Sequence, residues 1–223
     1  TRLLVVNDFA AVAWALPVLG PKDLHPIGGG QAVPREPLVV LGPGSGLGVA
    51  VLAPVAGNWI VLPGEGGNVA IATATADEAA VVDSLRDATG YCAVESLVSG
   101  PGLARIHDIL SKRAGQESPG LTPAAISAAA AKGDRLAIEA QAMFFALLGG
   151  LAGDLALTVG ARGGVYIAGG IVPRLLTAFE ASEFRARFEG KGRYQPYLEA
   201  IPTHVITADV PALIGLKKIL GYR

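Results

Sequence analysis

Residues 38–52 read LVVLGPGSGLGVAVL, and this stretch indicates the kind of fold that the chain adopts. Leu38 to Leu41 and Leu47 to Val55 are apolar, β-branched runs typical of buried strands. A third such run, Trp59 to Leu62, follows after Gly57-Asn58. Short strands separated by Gly, Pro and Asn turns predict a meander or hairpin arrangement.

The turn inside this stretch, Gly44-Ser45-Gly46, has two interpretations. It is a tight hairpin turn, or its glycines let a phosphate approach backbone N–H groups while Ser45 adds a hydroxyl donor. It is not a Walker loop, because the lysine is absent, and it is not a dinucleotide fingerprint, because a strand follows.

Upstream, Leu3 to Val6 predicts a short buried strand, and Phe9 to Leu19 predicts an apolar helix that stops at Gly20-Pro21. Asp8 is therefore expected at a strand-to-helix junction, where α/β proteins place their chemistry. The simpler interpretation is that Asp8 caps the helix.

Downstream, helices alternate with strands, and the order indicates an α/β or α+β fold. Gly169-Gly170 joins a strand to a helix and could pass beneath a flat ligand such as adenine, although packing alone explains such a junction. The predicted helices are Asp77 to Thr89, Pro101 to Arg113, one opened by Thr122-Pro123, Asp134 to Val159 and Pro211 to Leu220, and the predicted strands are Gly164 to Ala168 and Val205 to Thr207.

Composition excludes several classes of protein. Half of the 223 residues are apolar and the net charge is -1, which argues against a nucleic-acid partner or an acidic membrane surface. The uncharged runs 37–64 and 140–153 are interpreted as core, because the first is broken by turn residues and the second is too short to span. The single cysteine, Cys92, excludes an internal disulfide or a multi-thiolate zinc site and indicates a reduced, cytoplasmic protein.

Polar residues in apolar surroundings stand out at Asn7-Asp8, Glu65 with Asn68, and Glu95. Carboxylates and carboxamides can hydrogen-bond to several sugar hydroxyls, although Glu65 and Glu95 taken singly are typical of surface or turn residues.

When these polar residues are considered together with the glycine turns, the chain resembles the bacterial glucokinase family of the hexokinase and actin-like ATPase superfamily. The matching stretches are Val6 to Phe9, Gly44 to Ala50, Leu62 to Gly67, Glu95 to Leu103, Ile167 to Arg174 and Phe188 to Arg193.

The resemblance implies a ribonuclease H-like, actin-like ATPase fold of the α/β class. It implies that residues 1–18 are the end of a small domain and hinge, 19–205 a large sugar- and nucleotide-binding domain, and 206–223 a return to the small domain. The substrates would be glucose and ATP with Mg²⁺, in a cytoplasmic homodimer of glycolysis.

The same resemblance implies a role for each site residue. Asp8 is the expected general base for the sugar 6-hydroxyl, which suits a carboxylate that is ionised at neutral pH. The expected sugar contacts are Asn7, Glu65, Asn68 and Glu95, the expected second phosphate loop is Gly44, Ser45 and Gly46, and the expected adenosine-site glycines are Gly169 and Gly170.

The sequence departs from the family pattern twice. Asn68 stands where the family usually has His, which puts the sugar preference in doubt. The family's N-terminal phosphate loop, Asp-x-Gly-Gly-Thr, does not occur in these 223 residues. An N-terminal part of the same protein is therefore expected to be missing, and the 223 residues alone are not expected to phosphorylate glucose at a useful rate.

Three other functions stay open on the sequence. The first is a sugar-responsive binding protein or repressor, which would usually carry a helix-turn-helix segment that is not visible here. The second is a kinase for another hexose or an amino sugar. The third is a non-catalytic sugar-binding fragment. Retention of Asp8 favours a kinase over the first alternative.

Overall fold

The structure, a computed structural model, describes residues 3–118 and 120–221. Residues 1, 2, 222 and 223, which belong to the first and last predicted domain ranges, lie outside the described residues. The helices are α1 (Asp8–Ala15), α2 (Ala76–Asp83), α3 (Gly100–Arg113), α4 (Pro123–Ala131), α5 (Arg135–Val159), α6 (Leu176–Glu180), α7 (Phe184–Glu189), α8 (Gln195–Glu199) and α9 (Pro211–Ile219). The strands are β1 (Leu24–Ile27), β2 (Leu38–Pro43), β3 (Leu47–Val55), β4 (Asn58–Gly64), β5 (Gly164–Ile167) and β6 (Thr203–Ile206).

All six described strands form one mixed sheet in the order β1-β6-β5-β2-β3-β4. Strands β2, β5 and β6 run parallel, while β2, β3 and β4 form the predicted antiparallel meander, with Val40 opposite Ala50. Because β2 and β5 are parallel neighbours, the turns that follow them, at Gly44 and Gly169, lie at the same edge of the sheet. The α/β fold class is confirmed.

The sheet buries apolar side chains on both faces, which alternate along each strand as the pleat requires. Val39 and Leu41 belong to the larger core cluster, which includes Phe144 and Phe145 of α5. Val40 belongs to the smaller cluster on the opposite face, which α1 covers. The sheet therefore separates α1 from α5.

Helix α5 is long and apolar enough to cross a membrane by length and composition alone. Within its most apolar window, 56% of the residues are buried inside the protein, as in a core helix. It packs against α3, α4 and α7. The interpretation of its apolar segment as core agrees with this packing.

Helix α1 and helix α9 touch through their backbones. A Cβ added to Gly215 of α9 would lie 1.7 Å from the carbonyl oxygen of Ala11. Only glycine permits this approach, so Gly215 allows α9 to pack closely against α1.

The predicted strand over Leu3 to Val6 is wrong. These residues are not in a strand, and Leu3 and Val5 are 87% and 86% exposed. A β-branched run forms a strand only where a neighbouring strand accepts its hydrogen bonds, and none of the described strands lies beside it.

Some helix bounds also differ from expectation. Helix α2 ends at Asp83, short of Thr89, because the Asp87 carboxylate accepts hydrogen bonds from the backbone of Thr89 and Tyr91 and holds a turn. After Gly170 a 3₁₀ turn, Val172–Leu175, precedes α6. Strand β1 and helices α7 and α8 were not predicted, because each is short and its pattern is not periodic over a useful length.

Candidate active site

One cavity of about 300 Å³ lies where the β2–β3 turn, the start of α1 and the end of β4 meet. Three carboxylates from distant parts of the chain reach it: Asp8, Glu65 and Glu95. It is lined by Asn7, Asp8, Phe9, Gly42, Gly44, Ser45, Gly46, Leu47, Gly48, Val49, Gly64, Glu65, Glu95 and Gly169.

Asp8 is the first residue of α1 but does not cap it. The Asn7 side-chain oxygen is the cap and accepts a hydrogen bond from the Ala10 N–H at 3.0 Å. One oxygen of Asp8 accepts from the Phe9 N–H at 2.8 Å. The second Asp8 oxygen has no hydrogen-bond partner among the described residues and stays available to a ligand.

Phe9 fixes where Asp8 sits. Its ring lies on the backbone of Gly48 in β3, so closely that a Cβ at position 48 would be 1.9 Å from a ring carbon. The start of α1 is therefore seated on the strand that leaves the glycine turn.

Glu65 follows β4 and precedes a single helical turn, Gly66–Asn68. The Glu65 carbonyl accepts a hydrogen bond from the Asn68 N–H at 2.9 Å. The turn packs tightly on β3, since a Cβ at Gly67 would lie 2.3 Å from the Leu47 carbonyl oxygen. Packing of this turn brings the exposed Glu65 carboxylate to the cavity.

Glu95 reaches the cavity from a helical turn, Val94–Ser96, just before α3. It is half-buried, and its Oε2 atom accepts a hydrogen bond from the Leu47 N–H at 2.7 Å. The glycine turn is thus held by a carboxylate that also faces the cavity.

The two glycine turns at the sheet edge contact each other through their backbones. The first is closed by a hydrogen bond from the Gly44 N–H to the Gly46 carbonyl at 2.8 Å. In the second, Gly169 has φ +87°, and a Cβ there would lie 2.4 Å from the Pro43 carbonyl oxygen. Ser45 is exposed at the tip of the first turn.

A second cavity of about 490 Å³ adjoins the first and shares Asp8, Phe9 and Gly169 with it. Gly170 lines this second cavity and not the first. Of the two expected adenosine-site glycines, Gly169 therefore lies where the two cavities meet, and Gly170 lies in the second cavity alone. Arg174 and Asp209, which sequence reasoning missed as site residues, also line it.

Asn68 is not brought to either cavity. It is exposed at the end of its turn, and its carbonyl oxygen accepts a hydrogen bond from the Tyr91 hydroxyl. The role of Asn68 as a sugar contact therefore stays a prediction from the resemblance.

Cys92 is buried, and burial raises the pKa of its thiol above the ordinary value, against smaller opposing effects of neighbouring cations. A thiol that stays protonated is not a nucleophile, which supports a structural role.

The chain is similar in sequence and in structure to known proteins. A family model described as Glucokinase matches residues 1–221. A glucokinase of Nitrobacter hamburgensis is 46% identical over 98% of this chain and 69% of its own length. A glucokinase of Chromobacterium violaceum is 49% identical over 97% of this chain and 62% of its own length.

Solved structures show the same fold. A glucokinase from an Antarctic psychrotroph superposes with a TM-score of 0.91 at 36% identity, over 97% of this chain and 67% of that one. A glucokinase of the ROK family from Streptomyces griseus, solved with glucose and AMPPNP, shares the fold with a TM-score of 0.65 at 20% identity, over 97% of this chain and 67% of that one. The chain spans 62% to 71% of the length of the curated relatives that it matches. By the family model and by these relatives, the chain belongs to the glucokinase family.

Proposed function

We propose that the protein transfers the γ-phosphoryl group of ATP to the 6-hydroxyl of glucose. The observation that carries this proposal is the meeting of Asp8, Glu65 and Glu95 with the Gly44–Gly46 turn in one cavity. Carboxylates suit a polyhydroxylated substrate, and a glycine turn suits a phosphate, so the cavity offers both partners of the reaction neighbouring surfaces.

Asp8 is the proposed general base. As the sugar 6-oxygen forms its bond to the γ-phosphorus, the bond from that phosphorus to the bridging oxygen of ADP breaks. The 6-hydroxyl proton passes to Asp8, whose second oxygen has no partner among the described residues. Phosphoryl transfer depends mostly on positioning and charge stabilisation, so fixing this carboxylate matters as much as its basicity.

Glu65, Glu95 and Asn7 are the proposed sugar contacts. The two carboxylates accept hydrogen bonds from sugar hydroxyls, and the Asn7 amide nitrogen donates while its oxygen caps α1. Three contacts from three segments fix both the position and the rotation of the sugar ring, which directs one hydroxyl toward Asp8.

The phosphates of ATP are proposed to lie against Gly44, Ser45 and Gly46, and the nucleoside near Gly169 and Gly170 in the adjoining cavity. Mg²⁺ is proposed to arrive with ATP as part of the substrate, since it is usually held by phosphates, water and one or two carboxylates. Within residues 3–118 and 120–221, no group of three or more His, Cys, Asp or Glu side chains forms a metal site.

On the basis of family membership, we further propose that the protein acts in glycolysis, lies in the cytoplasm and forms a homodimer. Sugar preference is proposed as glucose, and a panel of hexoses and amino sugars tests it directly.

The decisive experiment measures sugar phosphate formation and glucose binding together. The 223-residue chain and a fusion with the phosphate-loop segment of a related glucokinase are assayed with ATP. In the active form, Asp8→Asn is expected to lower turnover by about 10²–10⁴, and glucose affinity by calorimetry is expected to change less than about tenfold.

Asp83→Asn is the matched control, since Asp83 is an exposed carboxylate paired with Arg86 on the surface. It should leave turnover unchanged. Unchanged turnover in Asp8→Asn would remove Asp8 from the mechanism, and absence of phosphorylation of every sugar by both forms would remove the proposed activity.

A further inference from the structure

We propose that Glu95 is a positioning residue for the Gly44–Gly46 turn, so that one carboxylate serves the sugar and the phosphate sides of the cavity together. The inference rests on the proposed function for its effect on catalysis. The inference depends on the hydrogen bond between the Leu47 N–H and the Glu95 carboxylate, which forms without substrate and can be tested separately.

The contact joins two segments that are 48 positions apart. Glu95 Oε2 accepts a hydrogen bond from the backbone N–H of Leu47 at 2.7 Å, and Leu47 is the first residue after the glycine turn. A hydrogen bond to a carboxylate is stronger than one between neutral groups. The carboxylate therefore fixes the exit of the turn.

Gly46 is shaped to accept this carboxylate. A Cβ at position 46 would lie 2.5 Å from Glu95 Oε2 and 3.1 Å from the carboxyl carbon. Gly46 does not adopt the left-handed backbone conformation. The need for glycine at position 46 is therefore explained by the space that the Glu95 carboxylate occupies, and not by the backbone torsion angles.

The other end of the turn is held by the same part of the chain. The Gly100 N–H donates to the Gly44 carbonyl at 2.8 Å, and Gly100 is the first residue of α3. Ser99 caps α3 and its hydroxyl donates to the Glu95 carbonyl at 2.8 Å. The turn is thus held at Leu47 by Glu95 and at Gly44 by Gly100, which belong to one continuous segment that leads into α3.

This arrangement links the two substrates. Glu95 Oε2 is engaged with Leu47, which leaves Oε1 to accept from a sugar hydroxyl. Loss of the carboxylate removes a sugar contact and also frees the turn that faces the phosphates. Loss of Glu65, which has no hydrogen bond to the turn among the described residues, removes a sugar contact alone.

Amide hydrogen exchange at Leu47, measured on the chain without substrate, tests the contact. Glu95→Ala is expected to speed exchange of the Leu47 N–H by about tenfold or more, since net hydrogen bonds to charged groups contribute about 1.5–3 kcal/mol. Gly46→Ala should speed it as well, although the carboxylate is retained, because the added methyl displaces it. Glu65→Ala is the matched control and should leave this exchange unchanged.

Steady-state kinetics on the active form test the coupling. Glu95→Ala is expected to raise the KM for ATP and the KM for glucose, whereas Glu65→Ala raises only the KM for glucose. Unchanged Leu47 exchange in both Glu95→Ala and Gly46→Ala, or an unchanged KM for ATP in Glu95→Ala, overturns the inference. If no sugar is phosphorylated, the proposed function fails while the exchange measurement still decides the contact.

Discussion

Glu78 and Arg187 are 109 positions apart and form a two-point ion pair that ties α2 to α7. The Nη1–Oε1 distance is 2.5 Å and the Nη2–Oε2 distance is 3.1 Å. The Glu78 side chain is only 4% exposed and that of Arg187 is 21% exposed. The Ala74 N–H donates to the same carboxylate at 2.7 Å, so a buried charge has partners on two sides.

Glu78→Ala is expected to lower the free energy of unfolding by about 3 kcal/mol, because removing one partner leaves a mostly buried guanidinium uncompensated. Urea unfolding followed by circular dichroism measures it. Asp77→Ala is the control, since Asp77 pairs with Arg113 on the surface with 74% of its side chain exposed. That variant should lose less than about 1 kcal/mol, and equal losses would contradict the role of the buried pair.

The stability of the fold is also expected to depend on pH through Glu78. Burial alone would raise the pKa of Glu78, but hydrogen bonds from Arg187 and Ala74, with the Arg187 charge, outweigh burial and hold the pKa below its ordinary value of 4.5. A lowered pKa means that the unfolded chain binds the proton more readily. The Glu78 contribution is therefore complete above pH 4.5 and is lost as the pH falls below it.

Urea unfolding at a series of pH values between neutrality and the acid limit checks this dependence. Glu78→Gln should be less stable at neutral pH and should lose less stability on acidification than the parent chain. Parallel curves for the two proteins would show that Glu78 is not the group responsible.

Gly48→Ala is expected to displace the ring of Phe9 and with it Asp8. Misplacing a catalytic group by about 1 Å can cost about 10² in rate, so turnover should fall by about that factor. Glucose binding through Glu65 and Glu95 should weaken less. Steady-state turnover and calorimetry separate the two effects.

Adding Phe9→Leu to Gly48→Ala provides the control, because a smaller side chain makes room for the new methyl group. The double variant should recover part of the lost turnover. If it is no better than Gly48→Ala alone, the ring contact does not position Asp8.

Asn68→His is expected to tighten glucose binding, because the longer side chain carries a ring N–H toward a lining that asparagine does not reach. Asn68→Ala is the reference and should bind glucose within about twofold of the parent chain, since Asn68 lies outside both cavities. Calorimetric titration measures both. Weaker binding in Asn68→His, or a large loss in Asn68→Ala, would show that asparagine is itself a sugar contact.

Local pattern was enough to predict α1 and the three-stranded meander, which position Asp8 and the glycine turn, but not the single turns Gly66–Asn68 and Val94–Ser96 beside Glu65 and Glu95. Successive side chains of a strand point to opposite faces, so Val39 and Val40 lie in different core clusters. A long apolar run such as that of α5 indicates a core helix. Both patterns can be seen in the sequence. Leu3 to Val6 shows the limit of such reasoning, because a strand depends on a partner that its own residues do not specify.

The site could not be predicted from sequence pattern alone. Nothing in the spacing of Asp8, Glu65 and Glu95 says that they meet, and their grouping came from the resemblance to a family. The Leu47 N–H contact to Glu95 and the seat of Phe9 on Gly48 depend on ångström-scale packing between distant segments. No periodicity or composition signal carries that information.

The backbone contact between Ala11 and Gly215 has a consequence for synthesis. The two residues are separated by roughly two hundred positions, and contacts of such long sequence separation form late in folding. During synthesis, α1 leaves the ribosome roughly two hundred residues before α9, so one of its packing partners does not yet exist. A chain interrupted before α9 therefore leaves the helix that carries Asp8 without one of its two layers of packing.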